Sequence, residues 1–238
     1  MLQHVYDAAR KTAASIVLIA VEQEHQQHLQ QILGIPAIGS KLVVIGTGKH
    51  SSGTSRCQEA AGCLASDIEL IVNWQVDEPF LEPQHVDRLV NMASMWLLEK
   101  QHETIGTITA NAVVDGCPHC SHGLRQRGST SSYCPDCWGG HSRHVVKVAC
   151  SDCLNPRCHW FSRAPLMGSS EHVGVYCYHR LLLNKLVNVS KSFIGVKEEL
   201  EQLNWLVAGY RMESLRISYA PLAINTFHDY ELACRDVK

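Results

Sequence analysis

The tightest constraint in this chain is a run of closely spaced cysteines in its middle third. It reads Cys117-Pro-His-Cys120, then Cys134-Pro-Asp-Cys137, then Cys150-Ser-Asp-Cys153 with Cys158-His159 close behind, and later Cys177-Tyr-His179. Two thiolates two residues apart turn onto one tetrahedral ion, because the short knuckle between them puts both sulfurs on the same side. Three such pairs, two of them with proline in the knuckle, in a chain with no charged-then-apolar leader, favour metal over a disulfide framework. The spacing therefore predicts one or two structural Zn²⁺ ions. The candidate ligands are Cys117, Cys120, Cys134, Cys137, Cys150, Cys153, Cys158 and Cys177.

The simplest assignment closes one site with Cys117, Cys120, Cys134 and Cys137, and a second with Cys150, Cys153 and two of Cys158, His159, Cys177 and His179. An interleaved assignment joins the first and third pairs and leaves Cys134 and Cys137 to His141 or His144. Sequence alone leaves both open. Cys57, Cys63 and Cys234 read as ordinary buried or free thiols.

The cysteines also divide the chain into three parts: 1–116, mainly helical with a short strand; 117–179, the zinc-binding module; and 180–238, a helical segment. Leu2, Val5, Tyr6, Ala9, Ala13, Ile16 and Val17 recur at helical spacing, and Gly34-Ile35-Pro36 is a stop. Lys41 to Ile45 is a strand-type run, followed by the loop Gly46 to Gly53. That loop fails as a phosphate-binding Walker loop, with Val43 where a glycine is needed and His50 where serine or threonine follows the lysine, so it reads as a surface turn. After Pro83 a helical stripe runs through Val86, Leu89, Val90, Ala93, Trp96 and Leu97. Leu181 to Val187, and then Val196 to Leu215, predict two C-terminal helices. The expected fold class is α+β, mainly helical, with a central zinc-knuckle or zinc-ribbon module flanked by helical segments.

Composition narrows the function classes. A net charge of −2 excludes a uniformly basic nucleic-acid binder, and the longest apolar run, Ile16 to Val21, is far below the roughly 20 residues needed to cross a bilayer. The expectation is a cytoplasmic protein with no membrane partner. Between 117 and 165 the local sign reverses: Arg125, Arg127, Arg143, Lys147, Arg157 and Arg163 face only Asp136 and Asp152, a net of +4. Interleaved Tyr133, Trp138, Trp160 and Phe161 make this a candidate nucleic-acid surface, with the six cations as contacts. Catalytic groups are sparse there, Glu171 being the one glutamate between 104 and 197, so the module predicts no enzyme.

The order of features resembles the antitermination protein Q family of lambdoid bacteriophages. The likeness rests on His144-Val-Val-Lys-Val-Ala-Cys150-Ser-Asp-Cys153 leading into Phe161-Ser-Arg-Ala-Pro165, and on Cys134-Pro-Asp-Cys137-Trp-Gly139. A fainter echo lies in Gly62-Cys-Leu-Ala-Ser66 and Leu89-Val-Asn91, so that the resemblance covers about residues 60–165. It implies a non-enzymatic transcription antiterminator that acts on DNA and RNA polymerase, with zinc in a structural role. In size and cysteine knuckles the chain is also similar to the Cas8-like small subunit of type IV CRISPR effectors, which would bind guide RNA and target DNA among other effector subunits. Either way the implied partner is DNA or RNA within a nucleoprotein complex. A zinc-stapled protein-interaction adaptor is the further alternative.

Overall fold

The run Ile16 to Val21 shows where helical periodicity misleads. A computed structural model describes residues 1–34, 42–99, 103–110, 146–151, 157–164, 166, 169–218 and 220–236 of the chain. In it helix α1 covers only Leu2–Ala9, and the apolar run becomes strand β1, Val17–Glu22. Short apolar runs fit both periods, and β-branched Val17 and Ile19 favour the strand, where their stiff χ1 packs without cost. A single 3₁₀ turn, Gln23–His25, leads into α2, Gln26–Leu33, which ends on Gly34 at φ +60°. That left-handed cap is open to glycine without strain.

Strand β2, Leu42–Thr47, pairs parallel with β1 from Val17 against Leu42 to Glu22 against Thr47. Helix α3, Gly53–Gly62, is capped by the Ser52 side chain, which accepts from the Ser55 amide. Strand β3, Leu70–Trp74, and helix α4, Pro83–Leu98, follow, and α4 buries Val86, Leu89, Ala93 and Trp96 of the predicted stripe, Leu89 fully. Strand β4, Thr104–Ala110, completes the first half.

The second half departs from the expected architecture. Where zinc knuckles and helices are predicted, the chain forms β5, Lys147–Cys150, β6, Cys158–Ser162, and the ten-residue β7, Ser170–His179. The short helices α5, Arg180–Leu186, α6, Phe193–Glu198, and α7, Glu201–Val207, precede β8, Arg211–Ile217, and α8, Phe227–Asp236. The predicted last helix thus ends at Val207, and Met212 and Leu215 lie in a strand. Strand β7 is the hub: it pairs antiparallel with β3, β4 and β5, while β4 pairs parallel with β8 and β5 antiparallel with β6. The six strands form one mixed sheet, and β1–β2 form a separate two-stranded one.

Side chains of β7 alternate between two cores, as a strand requires. Tyr176 and Tyr178 enter a cluster with Ala61, Leu183, Leu203 and Trp205; Val173, Val175 and Cys177 enter one with Leu89, Ala93, Trp96 and Ile217. Helices α3, α5 and α7 therefore cover one face and α4 the other, an α/β arrangement and not the α+β, zinc-centred one predicted. At Gly106 the sheet and α4 come so close that any side chain there would stand 3.1 Å from Leu89 Cδ1. No helix among the described residues is long and apolar enough to cross a membrane.

Trp205, 1% exposed, lies edge-on to Tyr176 and Tyr178 with ring centroids 5.8 and 6.2 Å away. Trp205→Ala should cost about 3–5 kcal/mol of stability in a chemical denaturation series, by lost burial and the cavity left behind. A change below about 1 kcal/mol would mean that this aromatic cluster does not anchor α7 to the sheet.

Candidate active site

The loops that follow β2 and β3 meet β7 and the start of α7, and together they hold several buried polar groups. After β2 the chain runs through Gly48, Lys49 and His50 into the Ser52 cap of α3. Glu59 fastens this loop: its carboxylate accepts from the Gly48 amide at 3.2 Å and meets His50 Nε2 at 2.5 Å. Those two contacts, the His50 one first, hold the Glu59 carboxyl below the usual range. On the other side Ser52 Oγ and Thr54 Oγ1 donate to the two oxygens of Glu201, at 3.2 and 2.7 Å, tying the first turn of α7 to the first turn of α3.

After β3 the chain turns through Gln75-Val-Asp-Glu78. Trp74 Nε1 donates to the Glu78 carbonyl at 3.0 Å, and Glu78 Oε1 accepts from the Gly174 amide of β7 at 2.8 Å. The Asp77 carbonyl accepts from the Ile224 amide at 2.8 Å, so the loop after β8 closes on the same turn. Gln75 lies between two glycines: a side chain on Gly53 would stand 3.5 Å from its Nε2, and one on Gly174 3.6 Å from its Oε1. Beyond Gly174, Gln202 Nε2 donates to the Tyr176 hydroxyl.

Burial dominates the electrostatics. It pushes Glu78 up to about 8, against the lowering effect of the Gly174 amide and with smaller help from Asp77 and Glu171. Asp77 is also raised, again by burial first. Tyr176 is raised by burial, against the lowering effect of the Gln202 hydrogen bond and with smaller help from the charges of Glu201, Asp77 and Glu78. Next along β7, His172 packs against Phe161 and Tyr176 with its Nε2 3.0 Å from Thr107 Oγ1, and desolvation pushes it down to about 3, so the ring stays neutral. Asp77 Oδ1, Glu78 Oε2, Gln202 Oε1 and Arg56 Nε are buried with no hydrogen-bond partner among the described residues. Buried groups of this kind are ordinarily paired, and those of Asp77, Glu78 and Gln202 mark a place for a polar ligand. It lies outside the ends of β2 and β3, where open α/β sheets bind their ligands.

The residues singled out by sequence lie elsewhere. Cys117, Cys120, Cys134, Cys137 and Cys153, with Arg125, Arg127 and Arg143, fall outside the described residues. Cys150 and Cys158 face each other across β5 and β6 with sulfurs 3.9 Å apart, and Cys150 Sγ lies 3.9 Å from Ser214 Oγ. Cys177 is not with them. It is buried on the opposite face of the sheet, where desolvation pushes its thiol up to about 12. Lys147 sits in β5, Arg157 is exposed, and Arg163 joins β6 to α6 by donating Nε–H to the Glu198 carbonyl at 3.2 Å. The residues that sequence reasoning missed are Ser52, Gly53 and Thr54, then Gln75, Asp77 and Glu78, then Gly174, Tyr176, Glu201 and Gln202. The legible signal was Gln75-Val-Asp-Glu-Pro79 directly after an apolar strand run, a placement that puts carboxylates at a sheet end.

Comparison with known proteins gives the chain relatives along nearly its whole length. The sequence model of the cytidylyltransferase family matches residues 1–113. The chain is 28% identical to a 3-deoxy-manno-octulosonate cytidylyltransferase of Rhizobium etli, over 99% of this chain and 84% of that protein. It is 27% identical to the enzyme of the same name from Geotalea uraniireducens, over 100% of this chain and 88% of that one. Among solved structures it is similar to a CMP:2-keto-3-deoxy-manno-octonic acid synthetase complexed with CTP, with a TM-score of 0.73 and 21% identity over 99% of this chain and 86% of that chain. A 4-diphosphocytidyl-2C-methyl-D-erythritol synthase from Anaerococcus prevotii superposes with a TM-score of 0.60 at 8% identity, over 99% of this chain and 88% of that chain. The chain shares the fold of these two solved structures.

These likenesses overturn the resemblance to antitermination protein Q and to the Cas8-like subunit, and with it the non-enzymatic, nucleic-acid-associated reading. Short cysteine motifs had outweighed a match that runs the length of the chain. These relatives are named as cytidylyltransferases and the similar solved structure is described as a complex with CTP, which stands against the structural zinc and the DNA or RNA partner expected from the cysteine pairs.

The raised carboxyl of Glu78 has a testable consequence. Its pKa in the fold lies above its unfolded value, so its contribution is full below about pH 4.5, declines as pH rises toward 8, and is gone above that. Glu78→Gln, which keeps an uncharged hydrogen-bonding group, should be more stable than the parent at pH 8, by an amount on the order of 3 kcal/mol, and converge with it near pH 5. Melting curves at the two pH values check this, and parallel shifts at both would contradict it.

Proposed function

We propose that the chain is a CTP-dependent cytidylyltransferase that joins CMP to an eight-carbon acidic sugar, 3-deoxy-manno-octulosonate, with release of pyrophosphate. The observation that carries this reading is the cluster of unpartnered buried polar atoms around Asp77, Glu78 and Gln202 at the ends of β2 and β3. It is supported by the named relatives matched along nearly the whole chain and by the CTP complex of the similar fold.

The reaction is attack of a sugar hydroxyl on the α-phosphorus of CTP, with pyrophosphate leaving, so the site must bind a polyanion and an acidic sugar beside one another. Positioning and electrostatics dominate such phosphoryl chemistry. The loop Ser52-Gly-Thr54, at the start of α3, offers backbone N–H groups at a helix N-terminus of ten residues. The close approach of Gln75 to Gly53 and Gly174 lets backbone and amide reach one ligand from two sides. Glu78, protonated at neutral pH, adds no negative charge beside the incoming phosphates and holds β7 through Gly174. Tyr176 and Gln202 form the wall on the α7 side, with Gln202 Oε1 left to accept from a sugar hydroxyl.

Asp77 fits a hard divalent cation such as Mg²⁺, because its Oδ1 is a buried oxygen donor without a partner among the described residues. Bound with the triphosphate, such an ion would neutralise charge and polarise the α-phosphoryl group. Burial raises the Asp77 pKa, and a cation held there would favour its charged form.

The test is incubation with CTP, Mg²⁺ and 3-deoxy-manno-octulosonate, followed by measurement of pyrophosphate and of the CMP-sugar. The reading expects both products in equal amounts, discrimination against ATP, and a loss of about 100-fold or more in kcat/KM for Asp77→Asn. Turnover unchanged in Asp77→Asn would overturn the role given to Asp77. Absence of product together with absence of saturable CTP binding would overturn the reading as a whole.

A further inference from the structure

A fault in the pairing of β5 with β6 brings two thiols opposite one another. Lys147, Val148 and Ala149 face Ser162, Phe161 and Trp160 in turn, and the register then shifts, so that Cys150 faces Cys158. The residue passed over is His159. In an unshifted ladder Cys150 would face His159 and Cys158 would face Ser151, so the bulge is what makes the two cysteines a pair. Beyond it the new register continues: the Ser151 amide donates to the Arg157 carbonyl at 3.0 Å, and the Arg157 amide donates to Ser151 Oγ at 2.9 Å.

Antiparallel pairs alternate between those that exchange backbone hydrogen bonds and those that do not. Ser151 is bonded to Arg157, so Cys150 and Cys158 form the other kind, in which the Cα atoms stand about 4.5 Å apart and side chains approach most closely. That spacing lies within the range of about 4.4–6.8 Å across which a disulfide closes without moving the backbone. The sulfurs are already 3.9 Å apart. The two thiols differ in access. Cys158 is 1% exposed and sits in the core cluster with Phe161, Tyr176 and Trp205, whereas Cys150 is partly exposed and packs against that cluster, with Ser214 Oγ 3.9 Å from its sulfur. A thiol closed off in apolar surroundings is inert to a reagent in water, and a partly exposed one is not.

We propose that Cys150 and Cys158 form an oxidation site for a hydroperoxide, with Cys150 as the attacking thiol and Cys158 as the resolving one. Cys150 gives up its proton and its sulfur attacks one peroxide oxygen; the O–O bond breaks, the leaving oxygen takes up a proton, and Cys150 becomes a sulfenic acid. The Cys158 sulfur, giving up its own proton, then attacks the Cys150 sulfur, the S–O bond breaks and water leaves. Two thiols are oxidised to one disulfide, and one peroxide is reduced by the same two electrons to water and an alcohol, or to two waters. A resolving thiol this close captures the sulfenic acid before more peroxide can carry it to the irreversible sulfinic acid. The bond would staple the edge strand β6 to β5. The end of β6 is tied in turn to α6, because the Ser162 hydroxyl and the Arg163 amide both donate to the Glu198 carboxylate, at 3.4 and 3.0 Å. The thiol pair shares no residue with the cluster around Asp77 and Glu78, and its chemistry does not depend on the proposed transferase activity.

Treatment of the folded 238-residue chain with hydrogen peroxide, alkylation of the remaining thiols and tryptic digestion test this. Trypsin cuts after Lys147, Arg157 and Arg163, so a bond between Cys150 and Cys158 joins peptide 148–157 to peptide 158–163, whereas a bond between Cys150 and Cys153 stays inside the first. The expected result is the joined pair, parted by dithiothreitol, retained in Cys153→Ser, and formed at least about tenfold faster in the folded chain than in urea. In Cys158→Ser, dimedone should label Cys150 as the trapped sulfenic acid. Absence of the joined pair from the parent, its loss in Cys153→Ser, or equal rates of formation with and without urea would overturn the site. Labelling of Cys158 in Cys150→Ser to the same extent as Cys150 in Cys158→Ser would overturn the division of roles. Should a variant fail to fold, fragmentation of the joined pair from the parent decides: a bond at residue 150 supports the site, and one at residue 153 overturns it.

Discussion

The contact between the Glu78 carboxyl and the Gly174 amide organises this molecule. It joins the turn after β3 to the strand with most partners in the sheet, and it does so with a group that burial keeps protonated near neutral pH. A buried carboxylate would demand a counter-charge, whereas a buried carboxylic acid needs only hydrogen bonds. The turn can therefore be packed tightly against β7 while Asp77, one residue earlier, is left with an oxygen uncommitted. The floor of the cluster is equally rigid: Tyr176 and Tyr178 stack with centroids 5.9 Å apart, and Trp205 closes on both. A ligand arriving here meets groups that need little reordering, which is the condition for electrostatic preorganisation.

What was legible in the sequence followed the strength of each periodic signal. The stripe from Val86 to Leu97 predicted α4, and the β-branched Leu42 to Ile45 run sits in β2. Where an apolar run was short, both periods fitted and the helical one was chosen wrongly, at Ile16 to Val21 and at Met212 to Leu215. The mixed sheet could not be read at all, because β7 finds β3 and β4 from about seventy to a hundred residues away and nothing local records such pairing.

The site was missed for a different reason. Cysteine knuckles are loud motifs, and they drew the functional argument to a stretch whose described members, Cys150, Cys158 and Cys177, lie in strands on two faces of a sheet. The functional signal was quiet: an ordinary Ser-Ser-Gly-Thr after one strand and Gln-Val-Asp-Glu after another, with Glu201 and Gln202 more than 120 residues further on. Rejecting a Walker loop at Gly46 to Gly53 was sound in detail, yet it discarded the place along with the motif. A loop between a strand end and a helix start can hold phosphate through its amides without a lysine or the Walker spacing.

Topology links the site to the crevice beside it. The chain passes from β2 over β1 to β3 by way of α3, and the crevice at such a reversal is where open α/β sheets bind nucleotides. Here Gly53 and Gln75 also line a cavity whose other walls are mostly apolar. The most direct measurement of the central claim is a crystal structure of the chain grown with CTP. The account predicts nucleotide density over Gly53, Gln75 and Asp77, with phosphates toward the start of α3. Nucleotide bound away from these residues, against the face that carries Cys150 and Cys158 for example, would contradict it.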